Sequence, residues 1–152
     1  MTEAKRIAEQ HRRAYHGEAW HGPALFELLR GVTAARAAAH PVRGAHSIWE
    51  LVLHLTTWEQ VVRSRVVGDP MNVTDELDWP APPRPTAKAW REARAALEEA
   101  SDSLRAALAA TTDRKLRARR PGTTGTYYEL LHGEVQHALY HAGQIAILRR
   151  AR

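Results

Sequence analysis

The chain has 152 residues, no cysteine and a formal net charge of +5, from 22 Lys and Arg against 17 Asp and Glu. This length is enough for one domain with its own apolar core, so we expect residues 1–152 to form a single domain. Without cysteine the chain can form neither disulfides nor thiolate-ligated zinc fingers and iron–sulfur clusters. Any metal site must therefore use His, Asp, Glu or backbone oxygen.

The apolar runs and the charge pattern argue against a secreted, a membrane-spanning or a nucleic-acid-binding protein. The N-terminal segment is polar and lacks the apolar stretch of a signal peptide, and no apolar run approaches the ~18 residues of a membrane span. We therefore expect a cytoplasmic protein that does not insert into a membrane. A run of basic residues lies in 114–120, but no aromatic side chains that could stack on bases are interleaved with it. We expect no nucleic-acid partner.

The first third of the chain predicts short helices around a break. Residues 3–16 consist of helix formers without a breaker. Pro23 then suits the first turn of a new helix, where its missing N–H costs nothing. Apolar residues follow it at helical spacing: Leu25, Leu28, Leu29 and Val32. That helix should end near Gly31, and a further helical turn is expected in 33–39.

A longer helix is predicted after residue 46. The sequence at 47–50, Ser-Ile-Trp-Glu, is a capping box that starts a helix. The helix should run to about Val67, with Gly68 just after its end. Its apolar stripe consists of Ile48, Leu51, Val52, Leu55, Trp58, Val62 and Val66. His54 flanks this stripe, and helical periodicity leaves open whether it faces a cavity between helices or the boundary with solvent.

Two long connections flank the next helix. Five of the eight prolines fall within 68–85, which therefore should not be helical. A helix is expected over 86–110, where large apolar residues repeat every seven positions: Trp90, Leu97 and Leu104. The second connection covers 111–125. Three tryptophans outside this helix are expected to fill the core or to form cavity walls: Trp49, Trp58 and Trp79.

The last helix is predicted from Thr126, whose side chain forms a capping box with Glu129, to near the end of the chain. Its apolar side consists of Tyr127, Leu130, Leu131, Val135, Ala138, Ala142, Ile145 and Leu148. Glu134 and His141 fall inside this apolar side, and His137 lies on its margin. Polar groups among core positions cost a few kcal/mol unless a partner satisfies them. With no convincing strand, the sequence predicts an all-α fold, a four-helix bundle with long crossover connections and a short extra N-terminal helix.

The histidine spacing on the last helix has two interpretations. His137 and His141 are four residues apart, so both imidazoles project from neighbouring turns of one face. That spacing can offer two nitrogens to one metal ion, but it also fits two hydrogen-bonded histidines. If His54 is a third ligand, three imidazoles leave coordination positions open, as in catalytic zinc or nickel sites. A di-iron carboxylate site is disfavoured, because Glu134-x-x-His137 is a single motif where two are needed.

Three separated segments resemble the DinB-like family of small metal-binding four-helix bundles. They read AWHGPALFELL at 19–29, HSIWELVLHLTTWE at 46–59 and YHAGQIAILRR at 140–150. The resemblance implies a divalent metal, usually nickel or zinc, held by three histidines that match His54, His137 and His141. It also implies a homodimer. Some members of the family couple a low-molecular-weight thiol to an electrophile.

The sequence contains no P-loop, GxGxxG, GxSxG or HExxH motif, so it supplies no obvious nucleophile of its own. We therefore expect a metal-dependent S-transferase that joins a low-molecular-weight thiol, as cosubstrate, to a small-molecule electrophile. The alternatives are a metal-dependent hydrolase with Glu134 as its catalytic base and a non-catalytic stress-response or binding bundle. Glu134 has a second interpretation, in which it orients a ligating histidine. The roles of the other site neighbours stay open: His21, Tyr140 and Gln144.

Overall fold

The computed structural model describes residues 1–151 and shows an all-α protein. Those residues form eight helices and no strand. The helices are α1 (Glu3–His16), α2 (Leu25–Leu29), α3 (Ala34–Ala38), α4 (Ile48–Val67), α5 (Asp75–Asp78), α6 (Ala87–Ala110), α7 (Asp113–Arg117) and α8 (Tyr127–Leu148). No helix in this described part is both long enough and apolar enough to cross a membrane.

The four long helices, α1, α4, α6 and α8, form a bundle. Helices α1 and α4 each pack between α6 and α8, so that α1 lies diagonally across from α4. The chain therefore crosses the bundle twice, from α1 to α4 through α2 and α3, and from α6 to α8 through α7. The predicted four-helix bundle with crossover connections is confirmed, and α2 and α3 are short extra helices of the N-terminal part.

Both predicted capping boxes begin the helices that carry the site. The Ser47 hydroxyl accepts a hydrogen bond from the Glu50 N–H at 3.2 Å, and the Glu50 carboxylate accepts one from the Ser47 N–H at 2.6 Å. Thr126 and Glu129 make the same reciprocal pair at the start of α8. Helix α4 ends at Gly68, whose φ of 92° is left-handed and therefore favours glycine.

The prediction that 68–85 contains no helix is wrong for one turn. Helix α5 forms in the proline-free stretch 71–79, where the Thr74 hydroxyl caps it by accepting the Leu77 N–H at 3.3 Å. Acidic residues in this turn also suit the positive end of the helix dipole. The turn brings Asp78, at its C-terminal end, against α4.

A layer of polar side chains divides the core. One apolar cluster contains Trp49 and Leu97, and a second contains Ile7 and Leu104, so that the two clusters occupy opposite halves of the bundle. Between them, each long helix contributes at least one buried polar residue. Four of these, one from each helix, are no more than 4% exposed and are His11 on α1, Glu59 on α4, Ser101 on α6 and Glu134 on α8. We refer to these four residues as the polar layer.

Candidate metal centre

The structure brings His54, His137 and His141 together between α4 and α8. The Nε2 atom of His137 lies 3.0 Å from the Nε2 of His54 and 3.0 Å from the Nε2 of His141. One ring nitrogen from each of the three residues falls within 4.8 Å of the others. Two nitrogens bound to one zinc ion at ~2.1 Å and a tetrahedral angle would be about 3.4 Å apart. The spacing therefore fits a shared metal ion with little adjustment.

Helix geometry accounts for this convergence. His137 and His141 lie one turn apart on α8, and His54 lies in the middle of the neighbouring α4. His54 and His141 are each only 5% exposed, whereas the side chain of His137 is 25% exposed. Helical periodicity left open whether His54 faces a neighbouring helix or solvent, and the structure shows that it faces α8.

The opposite nitrogen of each imidazole faces an oxygen atom. His54 Nδ1–H donates to the Asp78 carbonyl oxygen at 2.7 Å, and His141 Nδ1–H donates to Gln144 Oε1 at 2.6 Å. His137 Nδ1 faces Glu134 Oε1 at 3.6 Å, just too far for a hydrogen bond. A proton on each Nδ1 leaves the lone pair on Nε2, where the three rings converge. This donor set suits a divalent ion such as zinc or nickel.

Two of the imidazoles, those of His54 and His141, are held in the neutral form that metal binding requires. Burial lowers the pKa of His141 to about 4; the Gln144 contact opposes this shift, and the nearby His137 and His54 rings add to it. Burial likewise lowers the pKa of His54, although its contact with Asp78 opposes the effect. Metal binding at neutral pH therefore need not displace a proton from either ring.

Two tryptophans and the α5 turn hold His54 in place. The Trp79 ring stacks on His54 with centroids 3.9 Å apart, and His46 stacks on Trp79 at 3.7 Å. Trp58 Nε1–H donates to Asp78 Oδ1 at 2.6 Å, and the same carboxylate oxygen lies 3.2 Å from His54 Nδ1. Trp58 lines a cavity beside the site, whereas Trp49 is fully buried in the core and Trp79 packs against the same apolar cluster.

A cavity of about 310 Å³ lies beside the histidines. Its lining residues include His54 and His137 from the site, together with Trp58, Val62, Leu130, Gly133 and Glu134. A Cβ atom added at Gly133 would have open space around it, so this glycine leaves part of the cavity unfilled. The cavity is large enough for a small ligand. Most of its exposed wall is apolar, although the carboxyl groups of Asp78, Glu129 and Glu134 also line it.

A protein-family model described as the DinB superfamily matches residues 19–145. The chain belongs to the DinB superfamily. The matched segment begins before α2, ends within α8 and contains all three histidines, and the resemblance seen in the sequence is thereby confirmed. A search of curated proteins found no match, and a search of solved structures found none.

Glu134 of this DinB-superfamily chain lies behind the site, in the polar layer. It is 4% exposed, and burial raises the pKa of its carboxyl group to about 7, with the adjacent Glu59 carboxylate adding to the increase and His137 opposing it. Burial alone would raise the pKa of Glu59 as well, but the contact with His11 holds it below the usual value. Each of the two buried carboxyl groups shifts the pKa of the other, so the two are neighbours in the polar layer.

Sequence reasoning selected the three histidines of this DinB-superfamily chain but missed Asp78, which contacts His54, and Glu59, which lies in the polar layer with Glu134. Asp78 carries no signal in the sequence, because its position depends on how the proline-rich connection folds back onto α4. Glu59 does carry one, since it lies four residues after Leu55 and so falls on the apolar stripe of α4. Gln144 is now seen as the partner of His141. Tyr140 is 66% exposed, and His21 is also exposed.

Proposed function

We propose that the protein is a divalent-metal-dependent enzyme that transfers a low-molecular-weight thiol to a small electrophile. The observation that carries the proposal is the arrangement of the three imidazoles, with Nε2 atoms converging and each Nδ1 facing an oxygen. Zinc and nickel are among the ions that imidazole ligands suit.

An enzymatic site is favoured over a purely structural one by its incomplete ligand set. In residues 1–151, no fourth His, Asp or Glu joins the three-histidine cluster. Structural zinc sites have four protein ligands, whereas catalytic sites have three and leave a position for water or substrate. The adjacent cavity reaches both His54 and His137 and would admit a ligand to that position.

A bound divalent ion would lower the pKa of a thiol or of water that reached this position. Every other contribution comes from the chain itself. The apolar side chains of Trp58, Val62 and Leu130 would hold the carbon skeleton of the electrophile and exclude water from it. Because the chain has no cysteine, the thiol must be a cosubstrate. A free thiol, with a pKa of about 8.5, is far easier to ionise than water.

Hydrolysis is the second candidate, because Glu134 lines the same cavity and titrates near neutral pH. A carboxylate with such a pKa suits a general base. Its Oε1 atom, however, faces Nδ1 of His137, on the opposite side of the ring from the converging Nε2 atoms. This position supports an orienting role for Glu134 and favours thiol transfer over hydrolysis.

The test is a panel of thiols, electrophiles and hydrolysable esters offered to protein loaded with one equivalent of zinc or nickel. We expect thiol conjugation above the background rate, and His137→Ala should abolish it. Glu134→Gln should spare thiol transfer but would reduce a hydrolase that uses this base by ~10²-fold or more. His132→Ala, on the same helix with a side chain 37% exposed, is the matched control. A loaded protein that accelerates neither reaction would favour the non-catalytic binding bundle.

A further inference from the structure

The polar layer has no part in the function proposed above, apart from Glu134. It is nevertheless unusual for a bundle core, because three of its members are ionisable and are at most 4% exposed: His11, Glu59 and Glu134. Burying such groups costs several kcal/mol, and an apolar layer of the same shape is often at least as stable. Stability alone therefore does not account for these residues.

Glu59 lies at the centre of the layer and is held by α1 through both of its carboxylate oxygens. The hydroxyl of Tyr15, itself fully buried, donates to Glu59 Oε1 at 2.7 Å. His11 Nε2 lies 2.8 Å from Glu59 Oε2. The His11 and Tyr15 rings stack with centroids 4.7 Å apart, which fixes the two partners relative to each other. The Glu59 carboxylate is thus held in a single orientation.

The layer continues from Glu59 to the candidate metal site. The carboxyl group of Glu134 is the neighbour of Glu59 in the core, and Glu134 Oε1 faces His137 Nδ1 at 3.6 Å. The other two ligands are fixed by close hydrogen bonds, at 2.7 Å for His54 and 2.6 Å for His141. His137 has no such bond within the described residues. Its Nδ1 atom faces the Glu134 carboxyl group instead, so the position of that group bears on the orientation of the ring.

We infer that Glu59 is a positioning residue of the metal site, which holds the Glu134 carboxyl group against His137 and is itself held by Tyr15 and His11. The inference rests on the proposed three-histidine metal site. It assigns a role to a residue that touches neither metal nor substrate. Helix α1, which provides no ligand, thereby contributes to the geometry of a site between α4 and α8.

The test uses cobalt(II) alone, titrated into the full-length protein after removal of metal, with the dissociation constant and the visible absorption spectrum as readouts. Loss of a residue that orients a ligand typically weakens metal binding by about 10–100-fold. We expect a weakening in that range for Glu59→Gln, with altered cobalt band positions because the His137 ring is no longer fixed. Tyr15→Phe removes one donor to Glu59 and should change both readouts in the same direction by less.

Ser101→Ala is the matched control, because Ser101 belongs to the same layer but bonds only to the Glu98 carbonyl oxygen, at 2.9 Å. It should leave both readouts unchanged. Because Glu59 acts through Glu134, adding Glu59→Gln to a Glu134→Leu variant should weaken binding no further. Unchanged affinity and spectrum in Glu59→Gln, or fully additive losses in the double variant, would overturn the inference. If Glu59→Gln does not fold, Tyr15→Phe decides by the same readouts.

The outcome separates this inference from the proposed function. Wild-type protein that binds cobalt(II), together with a His141→Ala variant that does not, supports the three-histidine site whatever Glu59 does. Wild-type protein that fails to bind cobalt(II) contradicts the proposed function, and the role of Glu59 with it.

Discussion

Among single residues, Glu134 makes a contribution to the stability of the fold that depends on pH. Burial raises its pKa from the usual 4.5 to about 7. Between these pH values the folded protein keeps a proton that the unfolded chain releases. The contribution of Glu134 to stability is therefore lost as the pH rises from about 4.5 to about 7, and it stays lost above that range.

The metal-free Glu134→Gln variant should escape this loss. Relative to wild type, we expect its free energy of unfolding to increase by roughly 2–3 kcal/mol between pH 4.5 and pH 8. Urea denaturation of both proteins across this range measures the difference. His141 has the opposite sign, because its pKa lies below the usual 6.5 and its contribution is lost as the pH falls from 6.5 towards 4. Both proteins share that effect, so it cancels. Parallel stability curves would contradict the raised pKa.

At the scale of single helices, α8 provides two of the three candidate metal ligands and one wall of the cavity. The wall is open at Gly133, where an added side chain would enter free space. Filling the cavity should block the substrate without disturbing the three imidazoles. Glycine also weakens a helix interior by about 1 kcal/mol relative to alanine, so its replacement should not destabilise α8.

Gly133→Leu should therefore reduce kcat/KM by about 10-fold or more, while the dissociation constant for zinc changes little. Gly143→Leu is the matched control, since Gly143 lies on the same helix, is exposed and also faces open space. It should leave both quantities unchanged. Equal activity in the two variants would show that the substrate binds elsewhere.

A helix could be predicted from the sequence when local signals define it, and could not when it is held by tertiary contacts. Helices α4 and α8 were predictable because local capping boxes and long apolar periodicities define them. Helix α5 was not, since one turn among prolines is held by its contacts with α4, and those are tertiary. His137 and His141 were found by their spacing on α8, which is local, and His54 by the resemblance to the DinB-like family. Asp78 was not found, because its place beside His54 depends on tertiary contacts. Glu59 was missed although its charge interrupts an apolar stripe, a signal that sequence reasoning used for Glu134.

For the whole molecule, metal binding should appear as stability. An ion that binds only the folded protein stabilises it by about 2.7 kcal/mol at a hundredfold excess over its dissociation constant. Zinc or nickel should therefore raise the melting temperature of the wild type, and His141→Ala should largely abolish the increase. Calorimetry with and without metal measures both. An equal increase in wild type and variant would place the bound metal elsewhere.

We also expect a homodimer, as the resemblance to the DinB-like family implies. Apolar side chains on the outer face of α8 are available for an interface, since Tyr140 and Ile147 are each 66% exposed. Light scattering should then return twice the chain mass of 17.1 kDa. Ile147→Glu should shift the protein towards the monomer, whereas Val67→Glu, at an exposed apolar position on α4, should not. A wild-type mass of 17.1 kDa at micromolar concentration would contradict the predicted homodimer.

The partners of the two ligands on α8 come from the same helix, at matching distances along the chain. Glu134 precedes His137 by three residues, and Gln144 follows His141 by three, so a span of eleven residues carries two ligands and the oxygen atom that faces each. The residues of this half of the site follow one another on a single helix, as Glu-x-x-His-x-x-x-His-x-x-Gln. The other half, His54 with its Asp78 contact, exists only in the folded bundle. Transplanting the eleven-residue segment into an unrelated helical protein would therefore leave two tasks in the design of such a centre, which are placing a third histidine and providing a group that holds the glutamate, as Glu59 does here.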